Sequence, residues 1–131
     1  MNFLIFGHKG WIGSMVTKLL EKQNIHFVCD KSRAENKKAV EEEILLVKPT
    51  HVMSFIGRTH GTTDNGTKYT TIDYLEQKGK IKENVRDNLF SPLVLGLLCK
   101  KHNIHFTYLG TGCIFKYDEN HPFGDETTGF T

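Results

Sequence analysis

Phe3-Leu4-Ile5-Phe6-Gly7-His8-Lys9-Gly10-Trp11-Ile12-Gly13 is the stretch from which the rest of the chain is read. Its four apolar residues stop at a glycine, which fits a strand buried on both faces of a parallel sheet. Trp11, Ile12, Met15, Val16, Leu19 and Leu20 then recur at helical spacing, with Lys18, Glu21 and Lys22 opposite. Between strand and helix lie Gly7, Gly10 and Gly13. In that context the first glycine makes the tight turn, the second lets a pyrophosphate reach the backbone, and the third lets the helix pack on the sheet. The helix start adds unpaired N–H groups and a partial positive charge for phosphates. Gly7, Lys9, Gly10, Trp11, Ile12 and Gly13 are therefore the expected dinucleotide site; the plainer alternative is a set of turn and packing glycines without a ligand.

Outward from this turn, β-rich and helical runs alternate. Ile25 to Cys29 reads as a second strand, Asp30 to Asn36 as a polar loop, and Asn36 to Lys48 as a helix stopped by Pro49. Thr50 to Ile56 is a third strand ending at Gly57, and residues 58 to 72, rich in Thr, Gly and Asn, read as a long loop. From Ile81 to His102 a helix carries Val85, Leu89, Leu93 and Leu97 on one line and Phe90, Val94 and Leu98 on the next. Pro92 lies inside it and predicts a kink at residues 88 to 92. Ile104 to Leu109 is a fourth strand, and Gly110 to Thr131 is mostly loop. The order predicts an α/β fold, a Rossmann-like doubly wound parallel sheet forming one domain over residues 1–131 and incomplete at its C-terminal end.

Composition narrows the function classes. The chain has 131 residues, 38% apolar and 24% charged, with a net charge of +2, so a single globular domain is expected. The basic residues form no long run, and neither a nucleic-acid partner nor a membrane is expected. The start lacks the features of a secretory signal, so a cytoplasmic location is expected. Cys29, Cys99 and Cys113 are too scattered for a disulfide framework or a zinc knuckle, and the histidines show no metal spacing; no metal is expected. Core packing is the expected use of Cys29 and Cys99.

The end of the second strand is where such folds read the adenosine ribose. Asp30 lies at the place where a carboxylate accepts the 2′-hydroxyl of NAD, but Lys31, Ser32 and Arg33 follow at once and suit a 2′-phosphate. The preferred reading is NADP(H), with Arg33 as the main phosphate ligand because of its fork geometry, and NAD(H) as the alternative.

Gly110-Thr111-Gly112-Cys113-Ile114-Phe115 leaves the carboxyl end of the fourth strand, the edge where ligands bind in open α/β sheets. Together with the glycine turn, Lys48-Pro49-Thr50-His51-Val52 and Tyr117-Asp118-x-x-His121-Pro122, this resembles the extended short-chain dehydrogenase/reductase family. Within it the nearest resemblance is to the 3,5-epimerase/4-reductases that act on UDP-4-keto-6-deoxy-glucose to give UDP-rhamnose. The resemblance implies a nucleotide-sugar substrate, with a homodimer as an assembly left open. It implies that Thr111 is the hydroxyl that bonds the substrate carbonyl, and that Cys113 is the acid/base residue of the epimerising members. Gly57 resembles the glycine over which the cofactor's ribose and nicotinamide pass, and Asn88 the asparagine that supports the site. The family's reductases also need a Tyr-x-x-x-Lys pair after the fourth strand. Tyr74 and Lys78 have the spacing but precede Thr111, and are read as coincidence. The chain is therefore expected to be the amino-terminal part of such an enzyme, with its substrate-binding half absent and little or no turnover of its own. The alternatives are a GDP-fucose synthase-like epimerase/reductase and a non-catalytic dinucleotide-binding regulatory module.

Overall fold

In a computed structural model, which describes residues 1–110 and 119, strands Phe3–Phe6 (β1), Phe27–Cys29 (β2), His51–Ser54 (β3) and His105–Tyr108 (β6) form one parallel sheet in the order β2-β1-β3-β6. Helices Trp11–Lys22 (α1) and Lys37–Val47 (α2) make the first two crossovers, and a broken helical run leads to the last strand. In β1, Leu4, Ile5 and Phe6 are fully buried, as a strand with neighbours on both edges requires. Alternation divides the sheet between two layers. Leu4, Phe6 and Val52 face Val40 and Ile44 of α2 and Val94, Leu95, Leu98 and Cys99 of the third crossover, and these make the main core. Each such aliphatic side chain contributes about 1.5–3 kcal/mol when fully buried.

Local signals explain the helix ends. The Asn36 side chain accepts the Ala39 N–H at 3.2 Å and starts α2. Lys48, left-handed at φ 50°, ends it and leads into Pro49.

Three expectations are corrected. The apolar stripe of α1 is not buried: Trp11, Met15 and Leu19 are exposed, and only Gly13 and Leu20 are buried. With α2 and the third crossover helix packed together on the opposite layer, α1 has the β1 side of its own layer as its support. The region 58–72 is not featureless. Gly61–Thr62 (β4) and Lys68–Tyr69 (β5) pair as a small antiparallel hairpin, followed by a 3₁₀ turn at Ile72–Tyr74. Tyr74 is buried against Gly61, and its hydroxyl donates to Glu83 at 2.8 Å.

The expected kink at Pro92 is a change of helix type. The run consists of Ile81–Asn84 (α3), a π-helical stretch Val85–Phe90, and Ser91–Lys101 (α4), with Pro92 in the first turn of α4. A widened turn leaves room for the proline ring, and Ser91 Oγ donates back to the Arg86 carbonyl at 2.8 Å. Of the two apolar lines on this run, Val94 and Leu98 are buried, while Val85, Leu89, Leu93 and Leu97 are exposed.

Candidate functional site

A cleft of about 420 Å³ opens at the carboxyl edge of the sheet, between the ends of β1, β2 and β3. Its first wall is the turn after β1. Gly7 has φ +78°, and a Cβ there would stand 2.8 Å from the Phe55 carbonyl carbon and 2.9 Å from the Ile56 nitrogen, so both conformation and space demand glycine. A Cβ on Gly13 would collide with the Gly7 carbonyl and stand 3.0 Å from His8 Cα. Gly10 differs. It precedes α1 in extended conformation, its N–H donates to the Gly7 carbonyl at 3.0 Å, and a Cβ on it would meet nothing within 4 Å but that carbonyl, at 3.3 Å. No side chain caps the start of α1, and its first turn carries no acidic residue. Space over Gly10 and uncapped N–H groups suit an anionic group such as a diphosphate.

The second wall is the loop after β2, and its charges are paired. His8 Nδ1 donates to Asp30 Oδ1 at 2.7 Å, tying the glycine turn to the loop. Arg33, expected as the main phosphate ligand, donates through Nε to Glu35 at 2.6 Å while its side chain remains 69% exposed. Burial works to raise the Glu35 carboxyl, but the Arg33 hydrogen bond and charge win and hold it below its ordinary value. Ser32 donates from its hydroxyl to Glu43 at 2.5 Å. The Lys31 side chain is exposed.

At the third side, after β3, Gly57 lines the cleft with Phe55, Ile56 and Arg58. Asn88 does not line it. Its Oδ1 accepts the Arg58 N–H at 2.7 Å and its Nδ2 donates to the Arg58 carbonyl at 3.0 Å, so Asn88 fixes the backbone that follows Gly57. Arg58 Nε donates to Asp87 Oδ2 at 2.6 Å, and Arg86 Nε donates to Asp87 Oδ1 at 2.6 Å. Asp87 is buried, which works to raise its carboxyl, yet hydrogen bonds from Arg86 and Arg58 keep it below its ordinary value. The same pairing raises Arg58 further.

Of the residues expected from the sequence, Gly7, Lys9, Gly10, Asp30, Lys31, Ser32, Arg33 and Gly57 come together around the cleft; Trp11, Ile12, Gly13 and Asn88 stand behind or beside it. Thr111 and Cys113 lie outside the described residues. Burial pushes the Cys99 thiol up to about 11, consistent with packing. Cys29 is only half-buried; burial first, then Asp30 and Glu21, raises its thiol. Tyr74 lies under the β4–β5 hairpin and does not line the cleft. His8, Glu35, Arg58 and Asp87 were missed by the sequence reading. Only His8 carried a signal, its place inside the glycine turn; Arg58 and Asp87 meet across 29 residues, and Glu35 is set by its local pair with Arg33. Among the described residues there is no cluster of metal-ligating side chains and no helix long and apolar enough to cross a membrane.

No family model matches the chain. A protein of Acanthamoeba polyphaga mimivirus, L780, is 58% identical over 131 residues, covering all of this chain and 43% of its own. The crystal structure of the L780 UDP-rhamnose synthase superposes with a TM-score of 0.83 at 61% identity, covering 92% of this chain and 40% of that one. This chain is a homologue of UDP-rhamnose synthase. A trifunctional UDP-glucose 4,6-dehydratase/UDP-4-keto-6-deoxy-D-glucose 3,5-epimerase/UDP-4-keto-L-rhamnose-reductase of Arabidopsis thaliana is 33% identical over 138 residues, covering all of this chain and 19% of that protein. The relatives thus include a UDP-rhamnose synthase and a dehydratase/epimerase/reductase, and the chain spans less than half of their length. The Rossmann fold is shared more widely. Thermus thermophilus UDP-glucose 4-epimerase in complex with NAD has a TM-score of 0.64 at 17% identity, covering 93% of this chain and 44% of that one. Bacillus anthracis dTDP-4-dehydrorhamnose reductase in complex with NADP has a TM-score of 0.63 at 12% identity, covering 80% and 34%.

Proposed function

We propose that this chain is the cofactor-binding part of a nucleotide-sugar 3,5-epimerase/4-reductase that converts UDP-4-keto-6-deoxy-glucose to UDP-rhamnose. The observation that carries the reading is the 58% identity to L780 across every residue of the chain, together with the fit to the L780 UDP-rhamnose synthase. The glycine turn holds the diphosphate over Gly10, the loop Asp30–Arg33 meets the adenosine ribose, and the Gly57–Arg58 backbone, fixed by Asn88, underlies the remainder of the cofactor. A bound reduced nicotinamide supplies the hydride that reduces the C4 ketone.

Thr111 donates a hydrogen bond to the ketone oxygen and so polarises it, while supplying the proton that the resulting alkoxide takes up is the role of the phenol in the family's Tyr-x-x-x-Lys pair. Cys113 exchanges protons at C3 or C5: both carbons flank the ketone, so each proton is acidic enough to leave as an enolate forms, and its return to the other face inverts the centre. A thiol with an ordinary value near 8.5 needs only modest tuning to serve as base and acid.

For the cofactor, Lys31 and Arg33 support NADPH. A second reading, NADH, is favoured by two specific observations: Asp30 presents a carboxylate beside the loop, and the Ser32 hydroxyl and the Arg33 Nε already serve Glu43 and Glu35.

The test is to supply the full-length protein with UDP-4-keto-6-deoxy-glucose and either reduced cofactor, and to analyse the product by chromatography and mass. UDP-rhamnose is expected, and its absence with both cofactors overturns the reading. In the same assay Cys113→Ala is expected to abolish epimerisation while sparing reduction of an already epimerised substrate. Equal loss of both steps would make the cysteine a structural residue.

A further inference from the structure

The amino-terminal edge of the sheet, opposite the cleft, carries a pair of histidines that the proposed reaction does not use. His51 of β3 and His105 of β6 are register partners on adjacent parallel strands, so they share a face, and their ring centres stand 5.2 Å apart. Two imidazoles on one tetrahedral cation, with metal–nitrogen bonds of about 2.0–2.1 Å, hold their ring centres about 5 Å apart. Phe3, the partner of His51 on β1, backs the His51 ring from the other side at 5.0 Å. His51 Nδ1 and Thr50 Oγ1 share a hydrogen bond of 2.8 Å. Thr50 directs its own hydrogen to the Asn2 carbonyl at 3.2 Å, so the imidazole is the donor and its Nε2 carries a lone pair. Metal-ligating histidines are oriented in this way, by an acceptor on the other ring nitrogen. The His105 side chain is exposed, and no hydrogen bond from another described side chain engages it.

We infer that His51 and His105 together form a site for a divalent cation of borderline softness, Zn²⁺ above all. Imidazole nitrogens suit Zn²⁺, Cu²⁺ and Ni²⁺, whereas Mg²⁺ and Ca²⁺ take oxygen ligands. No third metal-ligating side chain joins the pair among the described residues. Water therefore completes the coordination, and the ion exchanges with solvent instead of building the fold as a four-ligand site does. Spacing along the chain hides the pair, because the two histidines meet only through the parallel register of β3 and β6. A bound ion ties these two strands together at their amino-terminal ends. It binds the folded chain and not the unfolded one, in which the histidines are apart, so it stabilises the fold in proportion to its concentration.

The test is calorimetric titration of the full-length protein, first stripped with a chelator, with zinc chloride and separately with magnesium chloride. Wild type is compared with His105→Phe, which keeps a ring beside His51 but removes the ligand nitrogens, and with His51→Gln. Saturable zinc binding is expected in the wild type, with a rise in unfolding temperature and no response to magnesium. Each variant is expected to bind zinc about tenfold more weakly or worse. Dinucleotide binding should stay unchanged in both, since the pair stands at the edge away from the cleft. Zinc binding of equal strength in wild type and both variants puts the ion elsewhere, on a cysteine for instance, and overturns the inference. So does a wild type that binds no zinc, and neither result touches the dinucleotide reading.

Discussion

On one side of the cleft, the Gly7–Gly13 turn closes backbone on backbone, with a positive φ at Gly7 and no room for a Cβ at Gly7 or Gly13. On the other sides, the Asp30–Glu35 loop and Arg58 are held by charged side chains reaching across from other elements, His8 and Glu43 to the loop and Asp87 to Arg58. The difference is one of tolerance. A wall made of main chain admits almost no substitution, because its neighbours cannot rotate away. A wall made of ion pairs keeps its path when one pair is lost and changes what it prefers to bind.

The sharpest way to break the first wall is Gly13→Ala. The new methyl meets the Gly7 carbonyl and backbone atoms that cannot swing aside, so a loss of about 3 kcal/mol in denaturant unfolding is expected, with loss of dinucleotide binding. A loss under about 0.5 kcal/mol would mean that the turn yields as readily as the charged wall.

Next in size is Asp87→Asn, which leaves Arg58 and Arg86 without the carboxylate they share. Because Asp87 is buried, about 2 kcal/mol of stability should be lost at neutral pH. The sign with pH follows from its lowered folded-state value. Above the unfolded-state value, 3.8, the wild type holds its full advantage over the variant, and that advantage fades as the pH falls through the lower folded value. Paired unfolding curves taken downward from neutral pH check it, and a gap that stays constant into acid would remove the ion pairing from the account.

The smallest effect belongs to Arg33→Ala. Its exposed pair with Glu35 should be worth under about 0.5 kcal/mol in stability, which sharpens the contrast with Gly13. If NADPH binding also collapses while NADH binding holds, Arg33 is the ligand of the 2′-phosphate.

Legibility in the sequence follows the same division. The turn, β1 and α2 were readable because their causes are local: an apolar run, glycines in register, helical periodicity, a proline stop. Gly7 and Gly10 were placed at the cleft for the same reason. The hairpin was not readable, since strands of two residues carry no periodicity and what lies beneath it is Tyr74, several residues on. The pairs His8–Asp30 and Ser32–Glu43 span 22 and 11 residues, and no local pattern announces which partner a charge will choose. Periodicity also proved blind to coverage. It marked the α1 stripe and both lines of the Ile81–His102 run as apolar, but it could not say which of them the sheet would receive.

Trp11, the single tryptophan of the chain, stands 81% exposed at the first position of α1, beside Gly10. Its indole is therefore a built-in optical probe at the mouth of the glycine turn. Emission should be red-shifted in the native state, and energy transfer to reduced nicotinamide should quench it without any label being attached.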